Sequence, residues 1–409
     1  MNSFQSKYHV INKIGEGTFS DVIKCIKKTT GDEYAAKRLK KICRSPENVE
    51  KCAEVIAWRN VSYHNNILNM IEYYYDYFTG QVVFIFQMMD MSLYEYITHK
   101  KYPLSEDKAK SFVYQIICGI NHLHKSGFFH RDIKPENILI QFTNKGENVK
   151  VGDFGSIRGI YSSHPYTEYI STRWYRSPEC LLTIGHYSSK MDIWAIGCVF
   201  YELLTFKPLF PGVNEIDQLA KIHKIIGVPS RNVLNKLQPN KCFRSKNAIQ
   251  FPYTSGIGLQ VLLPKVSREC RSIILQMLEY DPVKRINAKR LLKKAYFLSL
   301  KYNESEKHKK SDEKIINEKT TRALKSPKRK TKSPLPQATH PRSKSTGIPQ
   351  NTRSTVKQKS RRRVSPRKQN TSKSVRTSQF QHSGRMHHRL NVIVGLMTLR
   401  RSNIRSKKT

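Results

Sequence analysis

His130-Arg131-Asp132-Ile133-Lys134-Pro135-Glu136-Asn137, followed some twenty residues later by Asp153-Phe154-Gly155, decides the reading of this chain. The first run is a polar loop that places a carboxylate (Asp132), an ammonium two residues on (Lys134) and an amide (Asn137) within one short stretch. A second carboxylate follows at Asp153. Moving a phosphoryl group asks a protein mainly for positioning and charge neutralisation, not for covalent chemistry. Asp132 can accept a hydroxyl proton, and Lys134 can steady the transferring group. Asn137 and Asp153 are hard oxygen donors of the kind that hold Mg²⁺ against phosphates. An eight-residue loop of this order, with D-F-G at this distance, leaves chance almost no room.

Upstream, Gly15-Glu16-Gly17-Thr18-Phe19-Ser20-Asp21-Val22 reads as a G-x-G-x-x-S-x-V loop between two strands. Small residues there let backbone N–H groups approach phosphate oxygens. Alone the pattern is weak, because a tight hairpin also wants glycine, and Ser20 stands where a third glycine is usual. Tyr34-Ala35-Ala36-Lys37 follows on the next strand, and Lys37, preceded by two alanines, would face the cleft as a point charge for α- and β-phosphates. It needs an anionic partner, and Glu54 on the first helix fits. Taken singly, either could be a surface residue.

The remaining pattern describes two unequal lobes. Apolar residues at Val10, Ile14, Val22 and Ile23 suggest a hairpin, Tyr34 to Leu39 a third strand, and Val82 to Met88 a fully buried one. One helix interrupts them from Ser45-Pro46, with proline at its first position. From Ser105 helices dominate: Ser105 to Ser126, Ser188 to Leu204, Glu215 to Ile226 and Ser267 to Leu278. Pro135 to Tyr175 reads mainly as loops. Strands first and helices after give an α+β fold with a cleft between the lobes.

This set, in this order, resembles the signature of eukaryotic protein kinases, completed by Ser177-Pro178-Glu179, Asp192-Ile193-Trp194-Ala195-Ile196-Gly197 and Arg285. The resemblance covers residues 8–297. It implies a two-lobed kinase domain, with an N-lobe of about 8–90 and a C-lobe of about 91–297, after an extension of residues 1–7. It also implies transfer of the ATP γ-phosphate to serine or threonine of a protein, with Mg²⁺. Asp132 is then the base, Arg285 the partner of Glu179, and Lys37 and Glu54 the phosphate-holding pair. Ile14, Val22, Ala35 and Leu139 sandwich adenine, Met88 lies at the hinge and Phe86 is the gatekeeper. Gly15, Glu16, Gly17, Thr18, Phe19 and Ser20 form the loop over the phosphates.

Within that family the chain resembles the group of cyclin-dependent and mitogen-activated kinases, through Thr172-Arg173-Trp174-Tyr175-Arg176-Ser177-Pro178-Glu179 and Pro208-Leu209-Phe210-Pro211-Gly212. Proline-directed substrates are the corresponding expectation. Thr167-Glu168-Tyr169 sits where that group carries its activating phosphates. By analogy Arg173 and Arg176 receive phospho-Tyr169, while Arg131 and Arg158 receive phospho-Thr167. Three departures matter. Ala53 precedes Glu54 where an arginine is usual, although Arg59 lies on the next turn. No cyclin-binding helix sequence precedes Glu54, and Phe19 replaces the inhibitory tyrosine of cyclin-dependent kinases. A basic tail stands where mitogen-activated kinases carry an acidic docking patch.

That tail dominates the charge. Of the net +42, residues 301–409 contribute +26, from 31 Lys/Arg against 5 Asp/Glu, and no acidic residue follows Glu318. Such a composition buries too little apolar surface to offset ordering entropy, so residues 298–409 are expected to be disordered. Lys328-Arg329-Lys330 and Arg361-Arg362-Arg363 leave open a solvated spacer, weak nucleic-acid attraction, or importin contact. Ser326-Pro327, Ser333-Pro334 and Ser365-Pro366 are proline-directed sites in their own right. Leu390 to Leu399 is a candidate partner-docking segment. No run approaches the roughly 18 apolar residues of a membrane span. The eight cysteines (Cys25, Cys43, Cys52, Cys118, Cys180, Cys198, Cys242 and Cys270) show no ligand-like spacing and read as reduced core thiols. The expected location is cytoplasmic, with the nucleus as a second compartment.

Overall fold

The computed structural model describes residues 3–166, 172–183, 185–237 and 251–300. The N-terminal lobe is a five-stranded antiparallel sheet of β1 (Tyr8–Glu16), β2 (Ser20–Lys27), β3 (Glu33–Leu39), β4 (Met70–Tyr75) and β5 (Val82–Gln87) in the order β1-β2-β3-β5-β4. Central β5 is buried from Val82 to Phe86, as a continuous apolar run requires. Ahead of β1, α1 (Phe4–Lys7) sets Phe4 on Tyr8, with ring centroids 5.6 Å apart. Strand β4 has no clear signal in the sequence: MIEYYY mixes a charge and tyrosines, and only Met70 and Tyr74 are buried.

The single helix expected from Ser45-Pro46 is two. α2 (Pro46–Glu50) ends, and Cys52 takes an extended conformation that starts α3 (Ala53–Asn60) afresh. Glu54 therefore sits in the first turn of its own helix.

In the second lobe β6 (Met91–Ser92), α4 (Leu93–Thr98) and α5 (Glu106–Lys125) come first. α5 buries Ala109, Phe112, Val113, Ile116, Ile117, Ile120 and Leu123, a stripe of helical spacing, against α7 (Lys190–Thr205). From Met191 to Leu204 every residue of α7 is buried, so this helix is the core of the lobe. Between them lie β7 (Phe128–Phe129), β8 (Ile138–Thr143), β9 (Gly146–Val151), β10 (Arg158–Gly159) and α6 (Pro178–Leu182). The β8–β9 hairpin corrects the loop reading of Pro135 to Tyr175. Ile138, Leu139, Ile140, Val149, Lys150 and Val151 are buried, and Gly146 takes the positive φ that closes the turn. After α7 follow α8 (Glu215–Ile226), α9 (Arg231–Leu237), α10 (Leu259–Leu262), α11 (Arg268–Met277) and α12 (Ala288–Leu291). No described helix is long and apolar enough to cross a membrane. The seven cysteines among the described residues are all free thiols.

Candidate active site

The two lobes meet at an apolar cluster and a polar one. Val22 from β2, Ala35 from β3, Phe86 from β5 and Leu139 from β8 share one buried cluster, with Ile14 and Met88 packed against it. The hairpin missed in the sequence thus supplies Leu139, the floor of this apolar slot. The glycine-rich loop closes over it, Gly15 opposite Val22 and Glu16 opposite Asp21, with Gly17 N donating to Ser20 O at 2.7 Å. Phe19 points outward at 80% exposure, and Ser20 is buried. Glu16 is paired with Lys13 and Lys40, so its carboxylate is engaged at the loop rim.

Beside the slot, Lys37 on β3 lies opposite Val22 on one side and Phe84 on the other. Its Nζ reaches Glu54 Oε1 at 2.9 Å and Asp153 Oδ1 at 2.8 Å. Burial works to lower the Lys37 pKa, but the charges of Asp153 and Glu54 outweigh it and raise the ammonium well above its ordinary value. The Lys37 charge in turn holds the Asp153 carboxyl far below the usual carboxylate range, against burial. Both groups are ionised at neutral pH.

On the other wall, Asp132 Oδ2 takes Lys134 Nζ at 3.0 Å and Asn137 Nδ2 at 2.8 Å. Asn137 Nδ2 also donates to the Asp132 carbonyl at 2.8 Å. Asn137 spends its amide nitrogen on Asp132, which leaves its oxygen to ligate. Asp153 has Oδ1 held by Lys37, which leaves Oδ2. Two hard oxygen donors suit Mg²⁺, which takes one or two protein oxygens and completes its shell from phosphates and water. Among the described residues no cluster of three or more His, Cys, Asp or Glu forms a cage of its own. The donor set therefore fits an ion brought in with a nucleotide.

The loop that carries Asp132 is held by a residue to which the motif reading gave no role. Asp192, buried in the first turn of α7, accepts His130 N and Arg131 N, each at 2.9 Å, and His124 Nε2 at 2.8 Å. Arg131 has φ 72° and Asp153 φ 57°, a left-handed conformation costly for residues with a Cβ. The bonds to Asp192 keep Arg131 in it, and Lys37 Nζ and Gly155 N, both on Asp153 Oδ1, keep Asp153 in it. His130 Nε2 meets Gly152 O at 2.8 Å, joining the two catalytic segments. Below, Tyr175 OH donates to Glu202 Oε2 at 2.8 Å. Burial, with the nearby Glu136, pushes the Glu202 carboxyl up to about 7. Asp192 is legible as the first residue of the D-I-W-A-I-G run, which does not name its partners, and Glu202 only as a carboxylate inside an apolar helix.

Thr167 and Tyr169 lie outside the described residues. Of the four arginines read as phosphate receivers, Arg131 is buried, with Nε on Ser156 O at 2.6 Å and Nη1 on Tyr187 OH at 2.9 Å. Arg158 is exposed on β10 opposite Phe129. Arg173 meets Val213 O at 3.3 Å and Arg176 meets Glu215 at 3.8 Å, both at the start of α8. Arg59 is tied to Glu50. Glu179 and Arg285 form the expected pair, both buried.

These lobes and this pair of polar clusters define a protein kinase. Residues 8–297 match the protein kinase domain family, and the chain belongs to it. It is similar to the MAPK/MAK/MRK overlapping kinases of Homo sapiens and Mus musculus, at 47% and 46% identity over 290 residues. Each match covers 71% of this chain and 67% of the relative. The serine/threonine-protein kinase MAK of Rattus norvegicus is 36% identical over 292 residues, covering 71% of this chain and 46% of that protein. The chain is a serine/threonine protein kinase, and a kinase domain implies ATP and protein substrates.

Proposed function

We propose that this kinase transfers the γ-phosphate of Mg²⁺-bound ATP to serine or threonine followed by proline, under control of Thr167 and Tyr169. The observation that carries the reading is the convergence of Lys37, Glu54 and Asp153 facing Asp132, Lys134 and Asn137. Adenine enters the slot of Ile14, Val22, Ala35, Met88 and Leu139. Lys37, steadied by Glu54, neutralises the α- and β-phosphates, and the backbone of Gly15 to Ser20 covers them. Asn137 and Asp153 would hold Mg²⁺, which neutralises the charge developing on the phosphate oxygens when bound. Asp132 orients the substrate hydroxyl and receives its proton as the oxygen attacks the γ-phosphorus and the bond to ADP breaks. Lys134 balances charge on the moving group.

Proline direction rests on the W-Y-R-S-P-E segment and its resemblance to proline-directed kinases. Phosphates on Thr167 and Tyr169 would each add roughly −1.5 to −2 charge. Arg131 and Arg158, and Arg173 and Arg176, are the cations assigned to them. Activation is assigned to this loop and not to a cyclin. The tail charge supports weak contact with nucleic acid or an import receptor, and with it a cytoplasmic and nuclear distribution. The test is phosphorylation of a degenerate peptide library by the full chain with Mg²⁺ and ATP, with Asp132→Asn as the control. Enrichment of proline after the target residue is expected. A flat profile at that position rejects proline direction, and undiminished transfer by Asp132→Asn rejects the catalytic assignment.

A further inference from the structure

The N-terminal lobe carries an apolar platform that the phosphoryl-transfer chemistry does not use. Tyr77 and Phe78, in the turn between β4 and β5, are 76% and 85% exposed, and Ile42, in the loop before α2, is 61% exposed. The two segments that carry them are joined. Tyr75 and Tyr77 meet edge to face at 5.0 Å, Tyr75 OH donates to Cys43 O at 3.1 Å, and Cys43 N donates to Gly80 O at 2.8 Å. Gly80, at φ 69°, lies so close to Ile42 and the Cys43 carbonyl that a Cβ would collide with both. The platform is thus built, with the β4–β5 turn clamped to the loop that leads into α2.

Exposed aromatic side chains offer roughly 150–250 Å² each, so the platform presents on the order of 400 Å² of apolar surface. A stable complex between two folded proteins covers about 800 Å² on each partner. The patch is therefore small for a dimer and of the right size for one short segment. In sequence the patch is flanked by charges of both signs, Lys41 and Arg44 around Ile42-Cys43 and Asp76 before Tyr77, so charge does not select the occupant. Area and tethering do.

The chain supplies such a segment. From residue 301 to residue 389 apolar residues never exceed two in a row, whereas Leu390, Val392, Ile393, Val394, Leu396, Met397 and Leu399 fall within ten positions. The run is rich in β-branched residues and holds no charge, the composition that aggregates when left uncovered. The described chain ends at Leu300, packed on the core of the second lobe, with Ser299 Oγ accepting from Lys110. A chain of about 90 residues spans on the order of 50 Å, comparable with the width of a domain of this size. At that tether length the effective concentration approaches about a millimolar, so even weak intrinsic affinity suffices.

We propose that Ile42, Tyr77 and Phe78 form a docking surface for this chain's own Leu390–Leu399 segment. The test places the photo-crosslinking residue p-benzoylphenylalanine at position 78, and separately at position 77, of the full chain. Both positions are exposed, so the fold is retained, which a melting curve checks. Irradiated protein is separated by mass and the linked peptides are sequenced. The expected result is a link at monomer mass to residues 390–399, reduced at least fivefold by Val394→Asp. A link at doubled mass to a second copy, a link only to other residues, or no link from either position overturns the proposal.

Discussion

Replacing Arg285 with methionine removes a fully buried charge of the second lobe while keeping most of its volume. Its guanidinium donates to Glu179 Oε1 at 2.6 Å and Oε2 at 2.9 Å, to Glu279 O at 2.8 Å and to Lys190 O at 3.0 Å. It also lies 5.1 Å from the ring centre of Trp194. The substitution leaves the Glu179 carboxylate, 1% exposed, without its counter-charge. Breaking one side of a buried pair costs about 3–5 kcal/mol, against a whole-domain stability of about 5–15 kcal/mol. At about 2 °C per kcal/mol for a domain of this size, Arg285→Met should melt about 6–10 °C lower. Glu179→Gln combined with Arg285→Met removes both charges, and most of the loss should return. Thermal melting followed by circular dichroism measures Arg285→Met, Glu179→Gln and the double variant. A cost below about 1 kcal/mol for Arg285→Met, or a double variant as unstable as the two single losses added, refutes a tightly coupled buried pair.

Lys37→Met and Asp153→Asn should each lower kcat/KM by on the order of 10²–10³-fold or more, read by steady-state assay with a fixed peptide. Glu202 gives a pH signature. Its folded pKa lies above its ordinary 4.5, so its ionisation destabilises the fold. That contribution is absent below about pH 4.5, grows as pH rises towards about 7, and is constant above. Glu202→Gln should therefore gain stability over the wild type with rising pH in that window, by up to on the order of 3 kcal/mol, and parallel melting curves at pH 4.5 and 8 check it. Tyr169→Phe should reduce activity more than Thr167→Ala, because Ala53 offers no third cation and Arg59 is held by Glu50. Activity measured after mass spectrometry confirms phosphate on the untouched site decides the order.

The legible part of the site was the part written locally. His130 to Asn137 and Asp153 to Gly155 are contiguous, and their chemistry follows from residue types at fixed short offsets. Long periodic helices were legible for a similar reason: α5, α7, α8 and α11 each show a sustained apolar pattern. Strand β4 and the β8–β9 hairpin were missed because six-residue strands offer too few periods, and a polar residue such as Glu72 or Lys150 breaks the pattern. Glu72 meets Tyr8 and Lys7, which reach it from more than sixty positions away.

By itself, then, the sequence determined the chemistry available, the order of the lobes and the contrast between an apolar-rich domain and a basic tail. Only the tertiary structure decided which charges meet. Lys37 finds Glu54 across 17 residues and Asp153 across 116, and Asp192 secures a loop some sixty residues upstream. The break between α2 and α3, which places Glu54 in a first turn, and the clamp of Gly80 on Ile42 likewise belong to packing. Pairing of buried polar groups is set by where strands register and helices dock. No local pattern encodes that, because the free energy that selects it is shared among residues far apart in the chain.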